Sequence, residues 1–316
     1  MSGMENENKK LTPLKFLPDS MEMPWGVVEY KIADLGFVDS MAGEGWLGGN
    51  TLSDLVQTYL ERLVGETSFD WYGTQFPIMV KRLIVKGRTS LHVNPDDETA
   101  EQRYDAFGKT ALWYVEDCGP DARLYLGFKR DVTAAEFYEA CNAGDVSKLL
   151  HSVTPKPGES YLITPGLVHA AKDVTLLEVA ECSELWFRLH DWGSTERELH
   201  LEEAFDLIDY RSWKKTLAAP DVQVPQFTVH QIELKDPLQN TAGLDDSFLL
   251  YICLNGAAML QVPGEGNWHV KKNEVILVPS EVESFFLVPA DKDTKLLEVR
   301  MDPRPDDDLV SDPVEE

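Results

Sequence analysis

The sequence predicts a mostly β protein made of two β lobes, with helices inserted into or packed on the first lobe. Segments rich in β-branched and aromatic residues recur along the chain and are separated by turn residues, which favours strands. Only a few segments keep the three- and four-residue spacing of an amphipathic helix. Hydrophobic residues make up 43% of the 316 residues, enough for a sizeable core in two domains or in one large β domain.

The first predicted lobe spans 11–217 and combines strands with helices. Thr133 and Glu136 form a capping box at the start of one helix, and Pro95 ends a strand before another. Helices are predicted at 52–64, 96–104, 133–142, 145–151 and around 201–208. Strands are predicted at 78–93, 109–115, 122–128, 160–163, 168–171, 174–181 and 185–189.

The second predicted lobe spans 218–301, and its beginning overlaps a linker-like stretch at 217–225 that contains two prolines. Short strands separated by turns favour a small antiparallel barrel or jelly roll. These strands are predicted at 227–234, 248–253, 258–262, 274–278, 284–288 and 296–300. The tail at 302–316 is acidic and rich in proline, a composition that predicts disorder.

The charge of the chain disfavours whole classes of partner. Lys and Arg total 29 against 55 Asp and Glu, a formal net charge of −26 at pH 7. Such a surface repels phosphate backbones and anionic lipid, so we expect neither nucleic-acid nor membrane partners. The first ten residues have no apolar core, and the four cysteines show no CxxC spacing. We therefore expect no signal peptide, reduced cysteines and a cytoplasmic location.

Three segments place polar side chains together on predicted strands. Alternation puts Ser90, His92 and Asn94 on one face of the first segment. It aligns Lys109 with Ala111 in the second segment. In the third, a Pro-Gly turn delivers His169 to the start of a strand, and Glu178 and Arg188 follow on later strands. Taken singly, each residue has an ordinary explanation, because a lone strand histidine or lysine is more often structural or solvated than functional. Asp96 and Asp97, which follow Pro95, are better candidates for helix caps than for catalytic acids.

In this order the motifs resemble the type I mannose-6-phosphate isomerases, in their short bacterial form. The resemblance runs from 11 to about 301 and is most specific at 76–83, 90–98, 107–115, 125–129, 165–170 and 178–192. It implies two cupin (RmlC-like jelly-roll) barrels, a helical insertion beside the first, and one zinc ion in the N-terminal barrel.

The chain departs from that family at its zinc ligands. Members bind zinc through a Gln and a His two positions apart, a Glu after Gly-Lys-Thr, and a later His. The corresponding residues here are His92, Asn94, Ala111 and His169, so only the last is kept. His92 is a good ligand, but Asn94 offers only an amide oxygen and Ala111 offers no donor atom. We therefore expect zinc to bind weakly, through His92, His169 and Asn94.

The resemblance also assigns the remaining site residues. Ser90 and Lys109 match substrate-contacting positions, and Glu178 and Arg188 match the acidic residue and the arginine of the active site. Isomerisation moves a proton between C1 and C2 through an enediol, which requires a base and positive charge near the oxygens. Glu178 is a candidate base or a hydrogen-bond partner of the sugar, and Arg188 a candidate for stabilising the enediolate. A Trp-Glu pair of the family's pocket aligns with Tyr30-Lys31.

Three functions remain open from the sequence. The first is an isomerase that interconverts mannose 6-phosphate and fructose 6-phosphate, or a related sugar, with an altered metal site. The second is a non-catalytic sugar-phosphate-binding protein of the same family, favoured by Asn94 and Ala111. The third is another cupin chemistry such as an iron oxygenase, disfavoured because Ala111 removes the carboxylate of a 2-His-1-carboxylate site. We expect a small-molecule sugar phosphate as the partner, and a monomer or homodimer.

Overall fold

The computed structural model describes residues 9–214, 217–218, 221–241 and 247–301. It is 44% strand and 16% helix, so the prediction of a mostly β protein is confirmed. By contacts the chain divides into two compact units. The N-terminal lobe comprises Phe16–Ser53 and Phe76–Ala219, and the C-terminal lobe comprises Met1–Lys15, Asp54–Gln75 and Pro220–Glu316, as far as these are described. The predicted boundary at 217/218 stays a prediction, and the tail at 302–316 lies outside the described residues.

The secondary structure runs in the following order. The strands are β1 (Asp19–Met23), β2 (Gly26–Ile32), β3 (Ile78–Arg88), β4 (Leu91–Val93), β5 (Ala111–Phe128), β6 (Leu150–Val153), β7 (Ser160–Ile163), β8 (His169–Glu181), β9 (Phe187–His190), β10 (Leu217–Ala218), β11 (Val222–Gln223), β12 (Thr228–Glu233), β13 (Leu238–Thr241), β14 (Leu249–Asn255), β15 (Ala257–Val262), β16 (Gly266–Lys271), β17 (Val275–Val278), β18 (Ser284–Pro289) and β19 (Lys295–Arg300). The helices are α1 (Leu52–Tyr59), α2 (Glu61–Val64), α3 (Glu66–Tyr72), α4 (Asp97–Tyr104), α5 (Ala134–Ala143) and α6 (Leu201–Ala204), with a 3₁₀ turn at Val146–Lys148.

The N-terminal lobe is built on one ten-stranded sheet whose central strand is β8. The main path runs β1-β2-β3-β8-β5-β7-β10; β4 pairs with β8 and β9, and β6 pairs with β5. All these pairings are antiparallel. Nearly every residue of β8 is buried, because side chains from both faces of the strand pack into hydrophobic clusters. The strand therefore holds its polar residues, including the functional candidates, in a rigid and dry setting.

Two pairs of predicted strands are each one continuous strand. The predicted breaks within β5 and β8 fall at register irregularities where the ladder continues. Asp173 there takes a left-handed conformation (φ 50°), and its carboxylate accepts a hydrogen bond from the Asp121 backbone N–H at 2.8 Å. This bond satisfies the backbone of the irregular stretch, so both strands continue past it. Conversely, the strand predicted at 78–93 is divided into β3 and β4.

The helix caps agree with the sequence prediction. Asp96 is the N-cap of α4 and accepts a hydrogen bond from the Thr99 N–H at 2.8 Å, which assigns this acid to capping. Thr133 caps α5 by accepting from the Glu136 N–H at 3.2 Å. The helix predicted at 145–151 is wrong, because only Val146–Lys148 form a 3₁₀ turn before the chain enters β6.

We expect Asp96→Ala to destabilise the protein by about 1 kcal/mol, because the substitution leaves the Thr99 N–H without its cap acceptor. Urea unfolding monitored by circular dichroism measures this loss. Glu101→Ala, an exposed change within the same helix, is the matched control and should cost less than about 0.5 kcal/mol. Equal losses for the two variants would show that Asp96 has no capping role.

The C-terminal lobe contains two antiparallel sheets, in the orders β11-β12-β19-β14-β17 and β13-β18-β15-β16. They contribute to one apolar cluster that includes Tyr251, Phe285 and Leu296. All six strands predicted for this region are present, while β11, β13 and β16 were not predicted. The expected description of both lobes as cupin barrels stays a prediction.

The helix predicted at 52–64 differs from the structure in two ways. It is divided into α1 and α2 at Leu60, whose φ of 48° does not continue a helix. In addition, Asp54–Gln75, which include most of this helix, group with the C-terminal lobe, whereas the helix at 52–64 was expected beside the first lobe.

Two properties bear on the cellular setting. Among the described residues, no helix is long and apolar enough to cross a membrane. All four cysteines are free thiols; Cys141, Cys182 and Cys253 are buried and Cys118 is partly buried.

Candidate active site

The short strand β4 brings two histidines together. His92 lies opposite His169 of β8 on one side and opposite Arg188 of β9 on the other. The centroids of the two imidazole rings are 4.1 Å apart, and the rings meet edge to face. The side chains of His92 and His169 therefore point toward each other, as the sequence prediction requires.

Each imidazole is oriented by a backbone carbonyl. The Nδ1 atom of His92 is 2.9 Å from the Ser90 carbonyl oxygen, and that of His169 is 2.7 Å from the Leu167 carbonyl oxygen. These contacts assign the hydrogen to Nδ1 and leave the lone pair on Nε2. Burial lowers the pKa of His169 to about 4, and burial together with His169 lowers the pKa of His92 well below its usual range. Both rings are neutral near pH 7, the form that accepts a proton or binds a cation.

Asn94 and Ala111 occupy the other two predicted ligand positions. Asn94 is buried, and its Nδ2 donates a hydrogen bond to the Lys109 carbonyl oxygen at 3.3 Å. Only the side-chain amide oxygen of Asn94 is therefore left to coordinate a cation. Ala111 precedes Trp113 by two positions on β5, and the Trp113 ring lies 5.3 Å from the His169 ring. Strand alternation puts Ala111 on the same face as Trp113, with only a methyl group. Within the described ranges, no cluster of three or more His, Cys, Asp or Glu is positioned to hold a metal ion.

Two lysines and two glutamates form a buried charge cluster beside the histidines. We call Lys81, Lys109, Glu178 and Glu184 the lysine–glutamate cluster. The Lys81 Nζ is 3.3 Å from Glu178 Oε1 and also pairs with Glu184. The Lys109 Nζ is 3.5 Å from Glu178 Oε1 and 3.8 Å from Glu184 Oε1. The cluster is neutral as a whole, since each ammonium is offset by one carboxylate.

Glu178 is the most strongly held member of this cluster. It accepts a hydrogen bond from the Trp113 indole N–H at 2.6 Å, while its other oxygen faces both lysines. Burial alone would raise the pKa of Glu178, but Lys81 and Lys109 outweigh burial and lower this pKa far below its usual range. One Glu178 oxygen is engaged by the Trp113 indole and the other by the two ammonium groups. The geometry therefore disfavours Glu178 as the proton acceptor and favours an orienting role.

The two lysines differ in their electrostatic balance. For Lys81, the attraction of Glu178 and Glu184 outweighs the effect of burial, so its pKa is raised. For Lys109, burial dominates and neighbouring Lys81 adds to it, so its pKa is lowered. Lys109 is therefore the more readily deprotonated of the two.

Arg188 and Ser90 form the other end of the site. The Arg188 Nε is 3.4 Å from Ser90 Oγ, and its Nη1 donates to the Glu198 carbonyl oxygen at 2.9 Å. The guanidinium carbon lies 4.9 Å from the centre of the Trp186 ring, and this ring is 5.4 Å from the His92 ring. The partly buried arginine is therefore held by a hydroxyl, a carbonyl and an aromatic ring.

Contacts connect all seven predicted site residues. Ser90 contacts Arg188, Arg188 pairs across strands with His92, and His92 contacts His169. Through Trp113 the chain of contacts then reaches the remaining residues, Glu178, Lys109 and Asn94.

Lys81, Glu184 and Trp186 were not predicted from the sequence. One signal was available for Lys81, since it follows three apolar residues at the start of β3, where a lysine is unusual. Of the Tyr30-Lys31 pair, the buried Tyr30 ring lies 5.8 Å from the Lys81 Nζ, whereas Lys31 forms an ion pair with Glu29.

Known proteins with similar sequences are named as mannose-6-phosphate isomerases. No protein-family model matches the sequence. The mannose-6-phosphate isomerase ManA of Bacillus subtilis is 28% identical over 320 residues, covering 87% of this chain and 95% of the relative. The putative mannose-6-phosphate isomerase YvyI of the same organism is 28% identical over 264 residues, covering 78% and 81%. The chain is similar in sequence to mannose-6-phosphate isomerases.

Solved structures with the same fold are also named as mannose-6-phosphate isomerases. The mannose 6-phosphate isomerase from Bacillus subtilis superposes with a TM-score of 0.81 at 23% identity, covering 92% of this chain and 99% of that one. A putative mannosephosphate isomerase from Archaeoglobus fulgidus gives a TM-score of 0.79 at 18% identity, covering 93% and 100%. At these identities the structures show a shared fold.

Proposed function

We propose that the protein is a cupin-type sugar-phosphate isomerase of the type I mannose-6-phosphate isomerase family. In this proposal it interconverts mannose 6-phosphate and fructose 6-phosphate, an aldose–ketose isomerisation that passes through an enediol. The observation that carries the proposal is the single contact network joining His92, His169, Lys109, Glu178 and Arg188. The names of the sequence relatives support the reaction class.

The reaction assigns different tasks to these side chains. A base must move a proton between C1 and C2, and positive groups must offset the charge that develops on the oxygens. The neutral imidazoles of His92 and His169 carry lone pairs near pH 7, so they are our candidates for accepting the proton. Arg188 and Lys109 supply positive charge, and both suit a phosphate. Glu178 orients both lysines and the Trp113 indole.

A zinc-bound mannose 6-phosphate isomerase is among the proteins with this fold, at a TM-score of 0.73 and 12% identity. The residues of this chain do not fit such an ion well. A catalytic zinc has three good protein ligands, whereas this site offers two imidazoles, the amide oxygen of buried Asn94, and a methyl group at Ala111. We therefore propose an altered metal site that binds zinc weakly, and we assign no step of the reaction to the metal.

A second candidate is a sugar-phosphate-binding protein without catalytic activity. It is favoured by Ala111, which has no donor atom, and by Glu178, whose two oxygens are engaged by the Trp113 indole and the flanking lysines. In both cases a carboxylate that the reaction could use is missing or occupied. Lys109, Ser90 and Arg188, which could bind a sugar phosphate, remain in the contact network. A cytoplasmic location and a monomeric or homodimeric state stay predictions from the sequence.

A coupled assay with mannose 6-phosphate and fructose 6-phosphate tests the proposal, with and without added zinc. We expect turnover of both sugars by the unmodified protein, and a loss of about 100-fold or more in His169→Ala, because that variant lacks a candidate base. His230→Ala is the matched control, since His230 is a partly exposed histidine of the C-terminal lobe. Calorimetric binding of fructose 6-phosphate without turnover would favour the binding protein. The absence of both binding and turnover would contradict both candidates.

A further inference from the structure

Arg188 has an unusual environment for a cation in so acidic a protein. Acids outnumber bases by 55 to 29, and nearby Arg197 is paired with Asp191. In the part of the chain that the structure describes, however, no carboxylate forms an ion pair with Arg188. Its guanidinium instead contacts the Ser90 hydroxyl, the Glu198 carbonyl and the Trp186 ring. The positive charge of Arg188 therefore remains available for an external anion.

Trp186 lies directly before β9, two residues before Arg188. Phe187 and Leu189 point into a hydrophobic cluster of the N-terminal lobe. Arg188 therefore projects from the opposite face of β9, where it lies across from His92, and Trp186 lies beside it. The indole is 4.9 Å from the guanidinium carbon and 5.4 Å from the His92 ring, so it contacts both residues.

We propose that Trp186 is a positioning residue, whose indole holds the Arg188 guanidinium in place to bind the phosphate of the substrate. This inference rests on the proposed sugar-phosphate site. An aromatic ring attracts a guanidinium through its quadrupole and carries no net charge. A carboxylate at the same place would also hold Arg188, but it would cancel the charge that a phosphate needs. The indole thus fixes the arginine without neutralising it.

The affinity for fructose 6-phosphate, measured by titration calorimetry, tests the proposal without requiring turnover. We expect Trp186→Leu, which keeps bulk and loses the aromatic face, to raise the Kd by about tenfold. Trp186→Phe keeps an aromatic face and should stay within about threefold of the unmodified protein. Trp71→Leu, at an exposed tryptophan of the C-terminal lobe, is the matched control and should leave the Kd unchanged.

A double-variant cycle separates positioning from general damage to the fold. Because Trp186 acts through the guanidinium, Trp186→Leu added to Arg188→Lys should weaken binding little beyond Arg188→Lys alone. Additive losses, or equal losses in Trp186→Phe and Trp186→Leu, would overturn the inference.

The same titration distinguishes this inference from the proposed function. If the unmodified protein binds fructose 6-phosphate but does not isomerise it, and Trp186→Leu weakens the binding, the role of Trp186 stands and the isomerase fails. If Trp186→Leu binds as tightly as the unmodified protein, the role of Trp186 fails, whatever the activity. If no sugar phosphate binds to the unmodified protein, both are refuted.

Discussion

The double variant Ala111→Glu/Asn94→His is expected to bind about one zinc ion per chain, whereas the unmodified protein binds zinc weakly. Together with His92 and His169, the two new side chains would supply four strong ligands, including the one carboxylate that the site lacks. Structural zinc sites with four ligands are stabilised by about 10–16 kcal/mol, or roughly 3 kcal/mol per ligand. Two added ligands should therefore raise zinc affinity by roughly 10⁴-fold.

The structure indicates that both new ligands can face the histidines. Ala111 shares a strand face with Trp113, which contacts His169, and Asn94 shares the face of His92. Both positions are almost fully buried, at 1% and 2% exposure, so zinc must offset the cost of introducing a carboxylate and an imidazole. We accordingly expect the double variant to be less stable than the parent without zinc, and zinc to raise its melting temperature.

Metal analysis after purification without chelators measures the expected change, and the coupled isomerase assay follows its consequence. Each single change should raise zinc affinity less than the two changes together, because two ligands of one ion are coupled. Ala111→Gln/Asn94→His is the matched control for charge and should bind zinc less tightly than the Glu-containing variant. If the unmodified protein already holds stoichiometric zinc with full coordination, the ligand assignment is wrong, and another residue completes the site.

Strand alternation predicts which polar side chains share a face in this site. His92 lies on β4, with Ser90 and Asn94 directly before and after the strand, and the other two residues of β4, Leu91 and Val93, are buried in a hydrophobic cluster. Local sequence carries this information because the side-chain period of a strand is two. The pairing of His92 with His169 depends on contacts between distant segments, and it was expected because the family resemblance places both residues at one zinc ion.

The lysine–glutamate cluster was missed for a physical reason. Lys81 and Glu184 are more than a hundred residues apart in sequence, and they meet because the antiparallel pairing of β3 with β8 brings Lys81 opposite Glu178. A local pattern shows a lysine next to the apolar residues of β3, but it does not show which acid will compensate its charge. The same limit applies to Trp186, whose importance depends on the cross-strand positions of His92 and Arg188.

Errors in the predicted fold also follow from nonlocal effects. The predicted breaks at 116–121 and 172–173 contain residues that disfavour strands, yet the carboxylate of Asp173 satisfies the Asp121 backbone and the sheet continues. The edge strand β1 was not predicted, because its residues are polar and largely exposed and its order comes from pairing with β2. Capping, by contrast, is a local interaction, and the caps at Asp96 and Thr133 are as predicted.

Glu178→Gln is expected to be the most damaging single change to stability among the substitutions considered. It removes the carboxylate that lies 3.3 Å from Lys81 and 3.5 Å from Lys109, both buried, and leaves Glu184 to compensate two ammonium groups. Removing one partner of a buried ion pair costs about 3–5 kcal/mol, because the remaining charge is uncompensated. Lys81→Met/Glu178→Leu removes one charge of each sign and should recover much of this loss, since Lys109 and Glu184 remain as a pair.

The pH dependence of this loss follows from the lowered pKa of Glu178. A carboxyl whose pKa is lower in the folded than in the unfolded state stabilises the protein fully above the unfolded value, near 4.5, and loses this contribution as the pH falls through the folded value. Because glutamine does not titrate, the difference in unfolding free energy between the two proteins follows this ionisation. Measured by urea unfolding, the difference should fall by roughly 2 kcal/mol between about pH 7 and about pH 3. A difference that stays constant over this range would show that Glu178 is not held ionised by Lys81 and Lys109.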